Sequence, residues 1–330
     1  MSKVKVGFVG VGGIAGVHLE NISQNSHAKI VAVCDIVEEN ARKKGLQYNA
    51  AFYTDLDVML EKETLDAVFV CVPPFAHWDI EEKIVSRGIH LLVEKPLGLD
   101  IETVKRKEKV IKESGVICAV GYCLRYLDTV AKAKEYLKDK KIAMVRGYYI
   151  TSFVQTPWYR EMSKSGGQLV EQSTHTLDLM RYLAGDIESV YANMSLQVLS
   201  DIPNIDIPDV SSVNMTFTSG TVGHLDSSIT QSDHRSGIEI LGKDFRLELD
   251  GTTLTIVEKD STIIYKSKVD FYQEQDRRFI EAVMKGKTEL ILSDYEDGAK
   301  TLAATLAANK SNEVGLPIKL TSLTNNRVTL

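Results

Sequence analysis

Cysteine is scarce in the 330-residue sequence, which contains four residues of this type and no CxxC pair. We therefore expect Cys34, Cys71, Cys118 and Cys123 to be buried thiols in a reducing compartment rather than disulfides or metal ligands. A basic domain is also lacking, and the formal net charge of −6 argues against a nucleic-acid partner. No apolar run reaches the roughly 18 residues of a membrane span, so no membrane partner is expected.

A secretory leader is not expected either, although Lys3 and Lys5 precede an apolar stretch over residues 6–17. That stretch contains five glycines, and no small-x-small cleavage site follows it. We therefore expect a cytoplasmic protein.

The chain divides near residue 121 into two segments with different patterns, and its length also predicts two domains. Up to that residue, apolar runs of strand length alternate with amphipathic stretches, which predicts a parallel sheet covered on both faces. Beyond it, one helical stretch at 167–184 is followed by segments such as 213–217 that alternate apolar and polar residues. These segments predict half-buried antiparallel strands. The predicted fold class is therefore α/β, with domains over 1–121 and 122–330.

The first candidate site is the glycine-rich turn Gly10-Val-Gly12-Gly13-Ile14-Ala15, which fits the pattern G-x-G-x-x-(G/A). It directly follows a predicted strand and opens a helix, which is the context of a dinucleotide-binding turn. Glycines let the backbone approach a pyrophosphate, and the helix N-terminus attracts it. The alternatives are a tight turn in an unliganded α/β protein and a site for FAD or another nucleotide.

Asp35 ends the next predicted strand, 20 residues beyond Ala15. A carboxylate there would bind the adenosine ribose hydroxyls and would repel the 2′-phosphate of NADP. Arg42, Lys43 and Lys44 could favour that phosphate, but they fit the solvated face of the next helix better. We therefore expect NAD rather than NADP as the cofactor.

The second candidate site is Glu94-Lys95-Pro96, directly after the predicted strand 89–93. Ligands of open α/β sheets bind outside the carboxyl ends of the strands, so this pair is well placed to act. The alternative is a surface ion pair at the end of a strand. Pro96 ends the strand, and the Lys95–Pro96 bond is a candidate for the cis form that about 5–6% of X–Pro bonds adopt.

The third candidate site lies in the predicted helix 167–184. If that helix is continuous, Glu171, His175 and Asp178 stand at i, i+4 and i+7 on one face. Histidine exchanges protons near neutral pH, and a carboxylate can orient a substrate, so the stripe suits proton transfer. The alternative is a solvated helix face. No metal site is expected, because Glu171 and His175 offer two ligands and no third is apparent.

The glycine turn, Asp35, Glu94-Lys95-Pro96 and the Gly-Gly…acid-x-x-x-His-x-x-Asp segment occur in this order over almost the whole chain. In this combination the sequence resembles the glucose–fructose oxidoreductase / inositol dehydrogenase / MocA (Gfo/Idh/MocA) family of NAD(P)-dependent oxidoreductases. The resemblance implies an N-terminal Rossmann domain with a doubly wound parallel sheet. It also implies a C-terminal α+β domain that binds substrate, with a large open, mostly antiparallel sheet. The implied reaction is NAD-dependent oxidation of a secondary alcohol of a sugar or cyclitol.

The resemblance also implies roles for single residues. Lys95 would hold the reacting oxygen, His175 would accept the proton and Glu171 would bind the substrate beside them. The loop with Pro73 and His77 would lie along the cofactor. The residues expected to bind the cofactor are Gly10, Gly12, Gly13, Ile14, Ala15, Asp35, Pro73, His77, Glu94 and Lys95.

Two further residues are candidates for the substrate pocket. By resemblance, Arg125 would shape it, with an inter-domain salt bridge as the alternative. Trp158, shortly before the glycine pair, could form a pocket wall or belong to ordinary packing.

The sequence departs from the commoner family wording Asp-x-Gly-x-His, because it has Glu171 and Ser173 in place of the aspartate and glycine. The longer acid and the added side chain change the space around a substrate. The acid and the histidine both remain, so the departure bears on the substrate rather than on the chemistry. Two alternatives to a polyol dehydrogenase also stay open. One is a related oxidoreductase acting on an imine, enone or dihydrodiol, and the other is a catalytically inactive nucleotide-binding sensor.

The alternating strands after residue 187 also bear on assembly. One face of their sheet should pack on a helix, and apolar rows of the Val213 type on the other face would form an association surface. We therefore expect a homodimer or homotetramer that forms through the C-terminal sheet.

Overall fold

The computed structural model describes residues 3–320. They divide into two units, of which the first comprises the chain up to Tyr126 together with Asp270–Ala299. The second unit comprises Leu127–Val269 and the chain from Lys300 onward. The predicted boundaries assign residues 270–299 to the second domain, whereas these residues pack with the first unit. They do so because apolar side chains of this segment, including Phe279 and Ile280, join the buried core of the first unit.

Six parallel strands form the sheet of the first unit. They are β1 (Val4–Val9), β2 (Ala28–Cys34), β3 (Ala51–Tyr53), β4 (Ala67–Val70), β5 (His90–Val93) and β6 (Cys118–Val120). Their order across the sheet is β3-β2-β1-β4-β5-β6. This is the order of a doubly wound dinucleotide-binding sheet, in which the order of the parallel strands reverses between β1 and β4. The predicted parallel sheet of buried apolar strands is therefore confirmed.

The helices follow the alternation that the sequence predicts. In the first unit they are α1 (Gly13–Gln24), α2 (Glu38–Tyr48), α3 (Leu56–Lys62), α4 (Ile80–Val85) and α5 (Ile101–Ser114). The second unit contains α6 (Asp128–Leu137), α7 (Met162–Ser165), α8 (Gly167–Glu171) and α9 (Thr174–Ala184). Then α10 (Phe271–Lys285) returns to the first unit, and α11 (Tyr295–Val314) spans the boundary at residue 299.

Local sequence signals explain where several helices begin and end. Asp55, Asp100 and Asp270 precede α3, α5 and α10, and each carboxylate accepts an N–H bond from the first turn of its helix. Such caps accept hydrogen bonds from backbone N–H groups in the first turn, which have no partner within the helix. At the other end, Gly115 and Gly286 adopt φ values of 69° and 64° and end α5 and α10.

A nine-stranded sheet organises the second unit. Its strands are β7 (Ile142–Ser152), β8 (Ile187–Ser195), β9 (Val210–Phe217), β10 (Val222–Ser228), β11 (Thr230–Gly242), β12 (Phe245–Asp250), β13 (Thr253–Glu258), β14 (Thr262–Lys266) and β15 (Ile318–Lys319). Their order is β14-β13-β12-β11-β7-β10-β9-β8-β15. Among residues 3–320, β7 and β10 pair in parallel and the other neighbours are antiparallel. The predicted large, mostly antiparallel sheet is therefore confirmed.

The two faces of this sheet differ in polarity. Val213, Met215 and Phe217 alternate with more exposed polar neighbours and are buried, as the sequence predicts. However, they lie on the face covered by α6 and α9, so the predicted exposed apolar rows of the Val213 type are wrong. Because successive side chains of a strand point to opposite faces of the sheet, the apolar residues face the helices and the polar residues face outward. The outer face accordingly carries charged side chains, with Glu239 paired to both Arg146 and Arg246.

All four cysteines are buried thiols. No helix within residues 3–320 is both long enough and apolar enough to cross a bilayer.

Candidate functional site

The glycine turn connects β1 and α1 at the carboxyl edge of the parallel sheet. Gly10 has a φ of 78°, and a Cβ atom at this position would lie 2.6 Å from the carbonyl oxygen of Cys71, just beyond β4. At Gly12 and Gly13 a Cβ atom would meet no other part of the described chain within 4 Å. No described side chain caps α1 at Gly12. The turn therefore presents backbone and a helix N-terminus to open space, which fits a pyrophosphate.

Asp35, directly after β2, is tied to this turn. Its Oδ2 accepts the N–H of Val11 at 2.9 Å, and its Oδ1 accepts the N–H of Val37 at 2.9 Å. These two bonds hold the carboxylate beside the glycine turn, where the adenosine ribose of a dinucleotide binds. The neighbouring side chains of Ile36 and Val37 are exposed and apolar, so neither offers a cation to a 2′-phosphate.

Glu94 and Lys95 directly follow β5, as predicted. The Lys95–Pro96 peptide is cis. The side chain of Lys95 is partly exposed, whereas that of Glu94 is buried. The Oε2 atom of Glu94 accepts the backbone N–H of Lys95 at 3.2 Å, and its Oε1 accepts Nε2–H of His18 at 3.0 Å. These bonds anchor Glu94 inside the unit, and its predicted contact with the cofactor stays a prediction.

Sequence reasoning missed two members of this cluster, His18 in α1 and Asp276 in α10. The Nδ1 atom of His18 lies 2.8 and 2.9 Å from the two carboxylate oxygens of Asp276. Burial would lower the pKa of His18, but Asp276 and Glu94 raise it to about 10 through their charges and hydrogen bonds. One signal was available: His18 shares the apolar face of α1 with Leu19 and Ile22, and a histidine buried there needs partners.

His77 is buried in the turn after β4, next to α4 and α5. Its Nδ1 lies 2.5 Å from Oε1 of Glu81, whose Oε2 accepts a bond from Nζ of Lys107 at 2.6 Å. Burial would raise the pKa of Glu81, but His77 and Lys107 lower it overall. Pro73 is partly exposed at the start of the same turn. Contact of Pro73 or His77 with the cofactor stays a prediction.

Arg125 is buried in the first unit. It donates to the backbone carbonyl of Leu292 at 2.6 Å and forms an ion pair with Asp297. Because residues 270–299 belong to the first unit, this ion pair is internal to it rather than inter-domain. The role of Arg125 in a substrate pocket stays a prediction.

The predicted continuous helix over 167–184 is wrong, because it is interrupted at Gln172 and Ser173. The carbonyl oxygen of Gln168 accepts the N–H groups of both residues, at 2.8 and 2.9 Å, which shifts the helical bonding register. Glu171 ends α8, and His175 lies in the first turn of α9. Both side chains are partly exposed, so the break brings the predicted acid and base to two adjoining helix ends.

Asp178 lies three residues after His175 in α9 but is not partly exposed as Glu171 and His175 are. It is buried, and its Oδ1 accepts a bond from Oγ1 of Thr301 at 2.8 Å. Nε of Arg181 donates to the same hydroxyl at 3.1 Å. Asp178 therefore belongs to a buried polar network of the second unit, in which Thr301 of α11 bonds to it.

The predicted pocket wall Trp158 packs on a small cluster that contains Tyr159, Ile207 and Ile229. The hydroxyl of Tyr159 donates to Oε1 of Gln172 at 2.8 Å, within the break between α8 and α9. Burial and the charge of Glu171 raise the pKa of Tyr159 well above its ordinary value. Trp158 thus takes part in ordinary packing, and its additional role as a pocket wall stays a prediction.

The predicted site residues fall into two groups. The first unit holds the glycine turn, Asp35, His77, Glu94, Lys95 and Arg125, whereas the second holds Trp158, Glu171 and His175. Hydrogen bonds within the first unit connect Asp35 to the glycine turn, and Glu94 to Lys95. The first group fits a dinucleotide, and the second offers an acid and a histidine for proton transfer.

Comparison with known proteins agrees with this division. Residues 4–122 match the model of an oxidoreductase family with an NAD-binding Rossmann fold. Residues 130–257 match the GFO/IDH/MocA C-terminal domain. The first unit is therefore built on an NAD-binding Rossmann domain.

Several known proteins are similar over nearly the whole chain. Myo-inositol 2-dehydrogenase of Thermotoga maritima is 29% identical over 334 residues, which cover 96% of this chain and 98% of that protein. The scyllo-inositol 2-dehydrogenase (NAD(+)) of Bacillus subtilis is 27% identical over 341 residues, with 96% of each chain covered. The structure of WlbA dehydrogenase from Bordetella pertussis, in complex with NADH and UDP-GlcNAcA, superposes with a TM-score of 0.83 at 25% identity and covers 96% of this chain and 98% of that one.

The two family models together match well over half of the chain and follow one another in the order of the two units. The motifs that carry the resemblance lie in the regions of these models, or between them in the case of Arg125. By its sequence and by both parts of its fold, the chain belongs to the Gfo/Idh/MocA family of oxidoreductases.

Proposed function

We propose that the protein is an NAD-dependent dehydrogenase that oxidises a secondary alcohol of a cyclitol or a related sugar. One observation carries this proposal. The chain resembles the myo-inositol 2-dehydrogenase of Thermotoga maritima over almost its full length and has Lys95 and His175 at the positions that the family motifs mark. The partly exposed side chains of Glu171 and His175, on either side of one helix break, support the same function.

The chain's own residues would divide the work of binding NAD. Backbone N–H groups from Gly12 onward would hold the pyrophosphate at the start of α1, where the helix dipole favours negative charge. The carboxylate of Asp35 would accept hydrogen bonds from the adenosine ribose hydroxyls. When bound, NAD supplies the acceptor for the hydride that leaves the substrate carbon.

Lys95 and His175 would handle the substrate oxygen. The Lys95 ammonium donates a hydrogen bond to the hydroxyl and stabilises the negative charge that develops on the oxygen. His175 accepts the hydroxyl proton while the carbon loses its hydrogen as hydride, which leaves a ketone and a protonated histidine. Glu171 orients the substrate through its other hydroxyls. In the reverse direction His175 returns the proton to the oxygen.

A substrate screen tests the proposed function. Purified protein is incubated with NAD or NADP and a panel of inositols, sugars and sugar acids, and nicotinamide absorbance is followed. Imines, enones and dihydrodiols form a second panel, and the Lys95→Ala protein gives the background rate. We expect reduction of NAD with at least one cyclitol or sugar. Turnover confined to the second panel would contradict the proposal.

A first quantitative prediction concerns cofactor choice. Because Asp35 can bind ribose hydroxyls and repels a phosphate, NADH should bind at least about tenfold tighter than NADPH, or roughly 1.4 kcal/mol. Titration of both by nicotinamide fluorescence measures the ratio. Asp35→Ser keeps a hydrogen-bond acceptor without the negative charge, and it should reduce the ratio between the NADH and NADPH affinities. Equal affinities in the unmodified protein would refute this role of Asp35.

A second prediction concerns assembly, for which we keep the proposal of a homodimer or homotetramer. The supporting surface is the outer face of the nine-stranded sheet, which carries the Arg146–Glu239–Arg246 ion pairs and the exposed side chains of Met144 and Val222. Light scattering should give a multiple of the 36.7 kDa chain mass at micromolar concentration. A monomer at low salt would contradict the proposal.

A further inference from the structure

His18 occupies an unusual position for a histidine, because it is fully buried between two carboxylates. Its Nδ1 faces both oxygens of Asp276 at 2.8 and 2.9 Å, and its Nε2 faces Oε1 of Glu94 at 3.0 Å. Asn21 donates to Asp276 from the other side, at 2.8 Å. The cluster thus connects the helix that starts at the glycine turn, the strand end that carries Lys95, and α10.

The geometry defines the charge of this cluster. With both carboxylates ionised, each only accepts hydrogen bonds, so His18 donates from both ring nitrogens as an imidazolium, in line with its raised pKa. Burial raises the pKa of Asp276, and the positive charge and hydrogen bonds of His18 oppose that rise. Other titratable groups near it are the buried thiols of Cys71 and Cys123, whose pKa values burial raises, and Tyr272, whose ring edge meets the imidazole. Within residues 3–320, Glu94 and Asp276 are the charged side chains that bond to the ring.

Glu94 is held on its other side by Gly121 and Lys95. A Cβ atom at Gly121 would lie 2.6 Å from the carboxyl carbon of Glu94, so a glycine is needed there for the carboxylate to keep its place. The second oxygen of that carboxylate accepts the backbone N–H of Lys95. His18, Gly121 and the Lys95 backbone therefore surround one carboxylate, and a shift of that carboxylate changes the bond to Lys95.

We propose that His18 is a positioning residue, which holds the Glu94 carboxylate against Gly121 so that Glu94 fixes the backbone of Lys95. The role assigned to Lys95 rests on the proposed function. The position of Lys95, in contrast, can be measured in the protein alone.

Stability alone does not account for such a cluster. Burying charged groups carries a desolvation cost, and replacing a buried ion pair or triad by well-packed apolar residues is often neutral or stabilising. The cluster instead lies directly behind a backbone that has to place an ammonium group. Placement errors of about 1 Å at a reacting group can cost on the order of 10²-fold in rate. Precise placement of Lys95 is therefore a benefit that a neutral apolar cluster would not supply.

The test compares three variants by the backbone amide signal of Lys95, recorded after labelling with 15N-lysine and assigned by its loss in Lys95→Arg. His18→Phe keeps ring bulk but removes both donors. Gly121→Ala pushes the Glu94 carboxylate away and leaves His18 and Asp276 in place. Asn21→Ala removes only the bond to Asp276 on the far side of the cluster and serves as the matched control.

We expect the Lys95 signal to move in His18→Phe and in Gly121→Ala, and to stay in place in Asn21→Ala. In unmodified protein labelled with 15N-histidine, both ring nitrogens of His18 should keep imidazolium shifts above pH 8, which its raised pKa of about 10 also requires. If His18→Phe does not fold, Gly121→Ala still tests whether Glu94 fixes the Lys95 backbone, and the 15N-histidine shifts test the state of His18. An unmoved Lys95 signal in a folded His18→Phe or Gly121→Ala would overturn the proposal, as would a neutral ring at pH 7.

Kinetics separate this role from the proposed function. With a substrate in hand, Gly121→Ala and His18→Phe should lower kcat by about 10- to 100-fold, a placement effect. The dissociation constant of NADH should change less than kcat does. A moved Lys95 signal with unchanged kcat would overturn the positioning role. Failure of the substrate screen, by contrast, bears on the proposed function, and the amide signal still tests His18.

Discussion

His175→Ala is expected to lower turnover by about 10²–10⁴-fold, the usual worth of a general base. The histidine would take the hydroxyl proton as the hydride leaves, and alanine offers no acceptor in its place. NADH affinity should change little, since His175 belongs to the second unit and the residues expected to bind NAD belong to the first. The measurement is nicotinamide absorbance under saturating substrate, with NADH titrated separately.

The control for His175→Ala is His27→Ala, which removes an exposed histidine next to β2 and should leave turnover unchanged. Melting curves accompany all rates, so that a loss of folding is not counted as a loss of chemistry. Near-normal turnover of a folded His175→Ala at neutral pH would remove this residue as the base. The next candidate would then be Glu171.

Lys95→Ala should lower turnover by about 10²–10³-fold, the typical loss when an electrostatic donor to a developing oxyanion is removed. Lys95→Arg keeps the positive charge but changes the shape of the donor, so it should recover part of the rate. Lys109→Ala, on the exposed face of α5, is the matched lysine control. Single-turnover rates of all three variants, measured with saturating NAD, separate the chemical step from product release.

The double variant Lys95→Ala/His175→Ala extends this prediction. If both groups act on the same oxygen, its loss of rate should be much smaller than the product of the two single losses, because groups that act as a unit are not additive. Losses that multiply would show that Lys95 and His175 act independently, and the mechanism proposed above would then be wrong.

Much of the fold could be predicted from sequence because its signals are local. The continuous apolar runs of the first unit and the alternation in 213–217 report burial residue by residue, and the structure confirms both. Glycine spacing likewise marks the turn after β1, because the positive φ at position 10 favours a glycine there. Asp35 could be placed because its distance along the chain from the turn is fixed by one helix and one strand.

The remaining features depend on contacts between distant segments. His18, Glu94 and Asp276 meet from three parts of the chain, and no spacing rule connects residues so far apart. The break at Gln172 and Ser173 contains no Pro or Gly from which it could have been predicted. It follows Gln168, whose side chain donates hydrogen bonds to backbone carbonyls of β7 and β10. The sequence periodicity shows which residues of a strand share one face of the sheet. It does not show which of the two faces the helices cover, so that part could not be predicted.

The two-segment composition of the first unit has a consequence for how the protein is made. The ribosome completes β1 to β6 long before α10, whose Phe279 and Ile280 belong to the same core and whose Asp276 partners His18. At about 5–20 residues per second, the nascent chain waits on the order of ten to thirty seconds for that helix. During this interval the apolar surface that α10 covers is exposed, and His18 lacks one of its two carboxylates. The N-terminal unit, although synthesised first, is therefore finished only after nearly all of the second unit has left the ribosome.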